Sequence, residues 1–324
     1  MIAYLLRRVL HAIPIIISVN LLTFILFFIV NTPDDMARLH LGNKYVTPQA
    51  IERWKQSNGL NKPLFFNNQA HNISKITNTL FFTKTTSLFK LDFGRSQSGR
   101  NITQDIKERM WPSLALAIPT LIIGLLINIS TALFMTFFRD SYLDSIGVTL
   151  CVAMMSTSAL FYIIGGQFLI GKMLKLVPIS GYLDGLSALR FLILPIAIGV
   201  ISGFGAGTRW YRTLFLEELE KDYVRTARAK GLSENIVLFK HMLRNALIPI
   251  VTNVVAIIPL LFMGSLLMES FFGIPGLGSY TIDAIQQQDF DIVRVMVFLG
   301  TLFYIIGLTL TDVTYTIVDP RVRL

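Results

Sequence analysis

The chain has 324 residues, of which 53% are apolar and only 15% charged. An ordinary soluble domain has about a quarter of its residues charged, so this composition excludes a typical water-soluble enzyme and a disordered chain. Twenty-four Phe and a single Cys provide ample apolar area and no disulfide framework. The composition predicts an integral membrane protein. The net charge of +9 comes from basic residues spread over loops on both faces. It reads as topology determinants with an affinity for anionic lipid, and not as a nucleic-acid footprint.

A helix that crosses a bilayer takes about 20 mostly apolar residues. Six stretches qualify: 9–30, 111–138, 145–170, 191–208, 246–268 and 292–318. The first is longer than a signal-peptide core and is followed by Asn31-Thr32-Pro33-Asp34, not by small residues, so it reads as a retained helix. Cys151 falls in the third stretch and is expected to be a small buried residue. Gly199, Gly203 and Gly207, with Gly205 between them, would let the fourth helix approach its neighbours closely. Pro195, Pro249 and Pro259 would kink or break helices.

Short cytoplasmic loops retain Lys and Arg. With the N-terminus inside, segments 1–8, 139–144, 209–245 and 319–324 hold 13 basic residues, against three in the short outer loops 171–190 and 269–291. Both termini are therefore expected in the cytoplasm, with 31–110 as a long extracytoplasmic segment. In that segment Thr47 reads as an N-cap, with Pro48 at the first helical position and Asn58-Gly59 as the stop. The polar stretch 67–86 yields no predicted structure. Asn72-Ile73-Ser74 and Asn101-Ile102-Thr103 match a glycosylation pattern that is common by chance.

The cytoplasmic loop 209–245 is the most informative part. Leu219, Tyr223, Ala227, Leu232, Ile236, Phe239 and Leu243 recur at helical spacing interrupted at Gly231, with Ser233 and Glu234 as a new start. Two short helices with a glycine break are predicted. They would serve either as an amphipathic element on lipid headgroups or as a docking element for a cytoplasmic partner. No phosphate-binding loop, zinc-protease motif, nucleophile elbow or Cys/His cluster occurs, and His11, His40, His71 and His241 are scattered. Glu269 and Asp312 lie towards the ends of the fifth and sixth stretches, which otherwise carry almost no ionisable groups. A proton relay or ion-coupled carrier normally shows intramembrane charges.

Six segments are familiar together. Asp222-Tyr223-Val224-Arg225-Thr226-Ala227-Arg228-Ala229-Lys230-Gly231-Leu232-Ser233, continued by His241-x-Leu243-Arg244-Asn245-Ala246-Leu247-Ile248-Pro249, resembles the B-type permease subunits of the oligopeptide/dipeptide/nickel class of ABC importers. Leu5-Leu6-Arg7-Arg8, Gly59-Leu60-Asn61-Lys62-Pro63-Leu64, Asp92-Phe93-Gly94-Arg95-Ser96, Pro275-Gly276-Leu277-Gly278 and Asp319-Pro320-Arg321 extend the likeness over most of the chain. The general pattern of the family's cytoplasmic loop begins Glu-Ala-Ala where Arg225-Thr226-Ala227 stands here, a change usual for the peptide-importer branch. Residues 67–86 look like an insertion.

The resemblance implies an all-α, type I importer permease of the bacterial inner membrane. It has six transmembrane helices and a long extracytoplasmic loop after the first. The chain would divide into a first helix (1–30), an outer loop region (31–110), a five-helix core (111–318) and a tail (319–324). It implies a non-enzymatic subunit without a cofactor of its own. A second permease, two cytoplasmic ATPases that bind ATP and Mg, and an extracytoplasmic substrate-binding protein would complete the assembly. Asp222, Tyr223, Arg225, Ala227, Lys230, Gly231 and Leu232 would form the ATPase-coupling element. Phe271, Phe272, Pro275, Gly276 and Gly278 would cap the pathway and meet the binding protein. A non-transporting scaffold or sensor with a basic, partner-binding loop is the alternative. Neither reading names the cargo, which relatives of this class vary among dipeptides, longer peptides, glutathione, antimicrobial peptides and nickel chelates.

Overall fold

A computed structural model describes residues 2–42, 46–68 and 74–318. Asn72-Ile73 and Asp319-Pro320-Arg321 lie outside the described residues, as do the side chains of Leu5 and Leu6. Among the described residues there is no strand, only an isolated bridge between Arg95 and Asn101. The helices are α1 (Ile2–Ile25), α2 (Pro33–Leu41), α3 (Pro48–Ser57), α4 (Ser74–Thr77), α5 (Leu80–Phe89), α6 (Ile102–Phe137), α7 (Tyr142–Met155) and α8 (Ala159–Gly166). There follow α9 (Ala188–Leu219), α10 (Asp222–Ala229), α11 (Glu234–Ile236), α12 (Leu243–Ile257), α13 (Leu266–Phe272), α14 (Leu277–Gln286) and α15 (Phe290–Val318). Among the described residues, five helical stretches are long and apolar enough to cross a membrane, or six if a bent pair counts as one span.

The chain forms two compact units, residues 1–108 with 283–305, and residues 109–282 with 306–324. The first unit is built on aromatic packing. Phe24, Phe28, Met36, Leu60 and Leu80 are buried together, with Phe65 and Phe81 edge-on to Phe24 at ring distances of 5.2 Å. Thr47 caps α3 as expected, accepting from the Ala50 N–H, and Gly59 takes a positive φ after its end. The stretch 67–86, which yields no structure on composition, contains α4 and most of α5. Thr79 caps α5, and Leu80 and Leu88 are almost completely buried. Asn20 donates to Thr85 at 2.6 Å, and Lys84 pairs with Asp291 at 2.8 Å. The Thr-rich sequence hides a helix whose apolar side packs on partners distant in the chain.

In the second unit the third apolar stretch is not one rod. α7 and the α8 helix, extended to Met173, meet at 87° across Ser156-Thr157-Ser158. The hydroxyls explain the break. Ser156 and Thr157 bond back to the Val152 and Ala153 carbonyls, Ser158 accepts from the Leu160 N–H, and Tyr162 Oη donates to the Met154 carbonyl at 2.9 Å. Hydropathy is continuous across the bend and does not reveal it. Cys151 is buried as expected, beneath α9, where a side chain at Gly205 would collide with the Cys151 carbonyl. Gly199 and Gly207 pack equally closely on Thr120 and Asn128, whereas Gly203 faces open space.

The fourth apolar stretch does not end at 208; α9 continues to Leu219, so the first third of the 209–245 loop is helix. Pro195 and Pro249 lie inside α9 and α12, while Pro259 opens a 3-10 turn, Ile258–Met263. The fifth stretch is a single rod from Glu234 to Met263, made of α11, a π turn, α12 and that 3-10 turn. It stops at Met263, before Gly264 with its positive φ, five residues short of the expected end. Consequently the predicted second short helix after Gly231 is the beginning of a long helix. Its apolar periodicity runs without interruption into the span.

Candidate coupling site and return segment

After α9, Lys221 takes an extended conformation and α10 turns back. Val224 and Ala227 are buried, at 0% and 4% exposure, against Phe215, Leu219, Val237 and Met242, with Tyr223 and Leu232 packed at the margin. Burial of a Val-sized side chain stabilises by roughly 1.5–3 kcal/mol, enough to seat a two-turn helix that is marginal alone. The opposite face is open: Asp222, Arg225, Thr226, Ala229, Lys230 and Gly231 are exposed, Asp222 almost fully.

The predicted coupling residues therefore divide. Asp222, Arg225, Lys230 and Gly231 are available to a partner. Ala227 is buried, and Tyr223 and Leu232 are half-buried at the margin of the same core. The reason is the period of the helix: Tyr223, Val224 and Ala227 share one side of α10.

Three polar devices fix this element. Glu218, buried at the end of α9, accepts from Tyr223 Oη at 2.6 Å and pairs with Lys221. Burial, and next the Glu218 carboxylate, push the Tyr223 phenol up to about 12, which keeps it a proton donor at any physiological pH. Arg228 of α10 forks onto Glu234 of α11 at 3.0 and 3.4 Å, bridging the turn from outside. Within the turn, Gly231 has φ +75°, its N–H bonds the Arg228 carbonyl at 2.9 Å, and the Leu232 N–H returns to the Ala227 carbonyl.

Above α10, Arg212 of α9 grips Asp144 of α7 through two hydrogen bonds, 2.8 and 2.6 Å. Sequence reasoning missed Glu218, Asp144 and Arg212, and the pairing of Arg228 with Glu234. Only Glu218 and Lys221 stand at an informative helical spacing; the other pairs join separate helices.

The return segment 264–279 has its own geometry. α13 ends at Gly273 in the left-handed conformation, and the Ile274 N–H closes on the Glu269 carbonyl at 2.9 Å. The Gly181 N–H donates to the Phe272 carbonyl at 2.7 Å. Phe271 and Pro275 are exposed, whereas Phe272, Gly276 and Gly278 are buried and serve the segment's own packing. Residues 264–268 form one wall of a cavity of about 720 Å³ whose other walls include Leu116, Thr120, Ile163, Gly199 and Ser202. None of its lining residues is ionisable. Among the described residues no His/Cys/Asp/Glu group could hold a metal ion.

Residues 128–324 match the family of binding-protein-dependent transport system inner membrane components, and residues 1–118 match that family's N-terminal membrane component. The chain is similar to a protein of Brucella abortus (strain 2308) named for a peptide transport system permease, 35% identical over 329 residues, covering all of this chain and 99% of the relative. It is also similar to the glutathione transport system permease protein GsiC of Pectobacterium atrosepticum and of Salmonella typhi, each 31% identical with 100% and 99% coverage. The apolar spans and these full-length matches agree. The chain belongs to the binding-protein-dependent inner membrane components, as a multi-pass, non-enzymatic permease subunit of an ABC importer in the oligopeptide/dipeptide family.

Proposed function

We propose that this permease imports peptides or small peptide-like solutes by alternating access, driven through the exposed face of α10. The observation that carries the reading is the two-sided character of that helix: an apolar side locked into the chain's own core, and a side of Asp222, Arg225, Thr226, Ala229 and Lys230 with no partner inside the unit's core. A helix seated so firmly transmits displacement to α9 and to the Glu234–Met263 rod instead of absorbing it. The polar outer face suits the rim of a cleft on a partner chain.

ATP and Mg act on two separate ATPase chains, a second homologous permease completes the pathway, and an extracytoplasmic binding protein delivers cargo. Closure of the ATPases draws α10 inward and rocks the spans. Both termini lie in the cytoplasm, with 31–110 outside, where Phe271 and Pro275 of the return segment face the delivered cargo or its carrier. The relatives' names point to peptides and glutathione as the cargo class.

The test is reversal of charge on the open face. Arg225→Glu with Lys230→Glu is expected to lower co-purification of the ATPase subunits with the tagged permease at least tenfold in mild detergent. The second permease should still be recovered. Undiminished ATPase recovery would reject the assignment of this face.

A further inference from the structure

Glu269 is fully buried, at 0% exposure, and among the described residues meets no cation. Its carboxylate sits instead in a cage of donors from three parts of the chain. Oε1 accepts from the Ser265 N–H at 3.1 Å, reaching back over the first turn of α13. Oε2 accepts from the Ser279 N–H at 3.0 Å, at the beginning of α14, where the Gly278 N–H also points to it. The Ser113 hydroxyl of α6 is a further partner, and the same oxygen accepts from the Leu277 N–H at 2.8 Å.

Two glycines make room for this cage. A side chain at Gly264 or Gly276 would collide with the Glu269 oxygens and with Ser113 Oγ, and one at Gly278 would strike the Ser265 backbone. The positive φ of +70° at Gly264 turns the chain so that the Ser265 N–H faces the carboxylate. Backbone donors converging on one carboxylate stabilise the charge without a counter-ion, as at a helix N-terminus. Replacing one carboxylate oxygen by an amide NH2 would set a donor against the buried N–H groups that this oxygen serves, with a desolvation penalty.

The cage is continuous with the 720 Å³ cavity. Gly264 and Ser265, which Glu269 holds, line it together with Leu266, Leu267 and Met268. We propose that Glu269 is the positioning residue of the outer gate. It ties the 264–268 wall, the start of α14 and α6 into one rigid lid that opens and closes as a unit. This rests on the reading that the return segment caps the outer end of an alternating-access pathway. The lid is set by a single carboxylate, so its position follows the charge and length of that side chain.

The experiment uses the assembled importer in proteoliposomes, with Ser202→Cys in a Cys151→Ala background. Ser202 lines the cavity behind the lid. The probe is a membrane-impermeant maleimide added outside, with and without vanadate trapping of the ATPases. With Glu269 present, labelling is expected to differ at least fivefold between the two states. In Glu269→Gln the two states are expected to label within twofold of each other, and Glu269→Asp is expected to restore part of the difference. A purely structural defect would lower assembly or melting temperature and would leave the state dependence of the surviving complexes intact, which overturns the proposal. If Glu269→Gln does not assemble, Ser113→Ala, which removes one donor to the carboxylate and the acceptor of the Leu277 N–H, must reduce the difference; an unchanged ratio overturns it. Absence of any state dependence with Glu269 in place, in complexes that hydrolyse ATP, overturns the alternating-access reading itself and the gate with it.

Discussion

Gly231→Ile is expected to reduce uptake at least tenfold while leaving membrane insertion and permease amount close to normal. No atom blocks a side chain at this position; nothing lies within 4 Å of a Cβ built there. The effect comes from the backbone. Gly231 holds φ +75°, a left-handed conformation that costs a non-glycine residue roughly 1–2 kcal/mol and a β-branched residue more. That energy is small against the stability of a multi-span protein, so the chain still folds.

It is large for the local turn. Relief of the strain rotates α10 away from α11, at the expense of the Arg228–Glu234 fork and the Leu232-to-Ala227 hydrogen bond. On the proposed coupling role of α10, its open face would then meet the partner at the wrong angle. Uptake of labelled substrate, normalised to permease quantified in membranes, checks this. Normal uptake by a well-expressed variant would refute it.

Asp144→Ala is expected to have the largest effect on stability. Asp144 is nearly buried, and its two oxygens take two hydrogen bonds from Arg212, which is itself only one-fifth exposed. Truncating one member strands the other charge, at a cost of about 3 kcal/mol or more. Replacing both, as Asp144→Ala with Arg212→Gln, removes the stranded charge and should recover most of that loss. Thermal unfolding of the purified permease in detergent, run as a double-mutant cycle, reads the coupling directly. Additive effects of the two single substitutions would show that the pair contributes nothing specific.

Much of the architecture is legible because a bilayer simplifies the problem. Hydropathy locates the spans, and the Thr47-Pro48 start and the Gly231 break follow from cap chemistry and chirality. The cage around Glu269 could not be read in the same way. Its donors, Ser113, Ser265 and Ser279, are separated by up to 166 positions, and backbone N–H groups leave no signature in a sequence. Glu269 itself registers only as an acidic residue at the edge of an apolar stretch.

The bend at Ser156-Thr157-Ser158 escaped for a related reason, since hydropathy averages across three hydroxyl residues flanked by apolar ones. The helix α5 escaped because its Thr-rich face dominates the composition while Leu80 and Leu88 do the packing. In α10 the motif marks the element but does not separate its two sides. The inward turn of Ala227 emerges only when Phe215, Val237 and Met242 are brought together by the fold.

Site-specific photocross-linking within the assembled complex tests the central claim most directly. A photoreactive residue at Thr226, on the open face of α10, is expected to yield an adduct with an ATPase subunit. The same residue at Tyr142, also exposed, at the start of α7, is expected to yield none. An ATPase adduct from Tyr142 and none from Thr226, Ala229 or Lys230 would contradict the account.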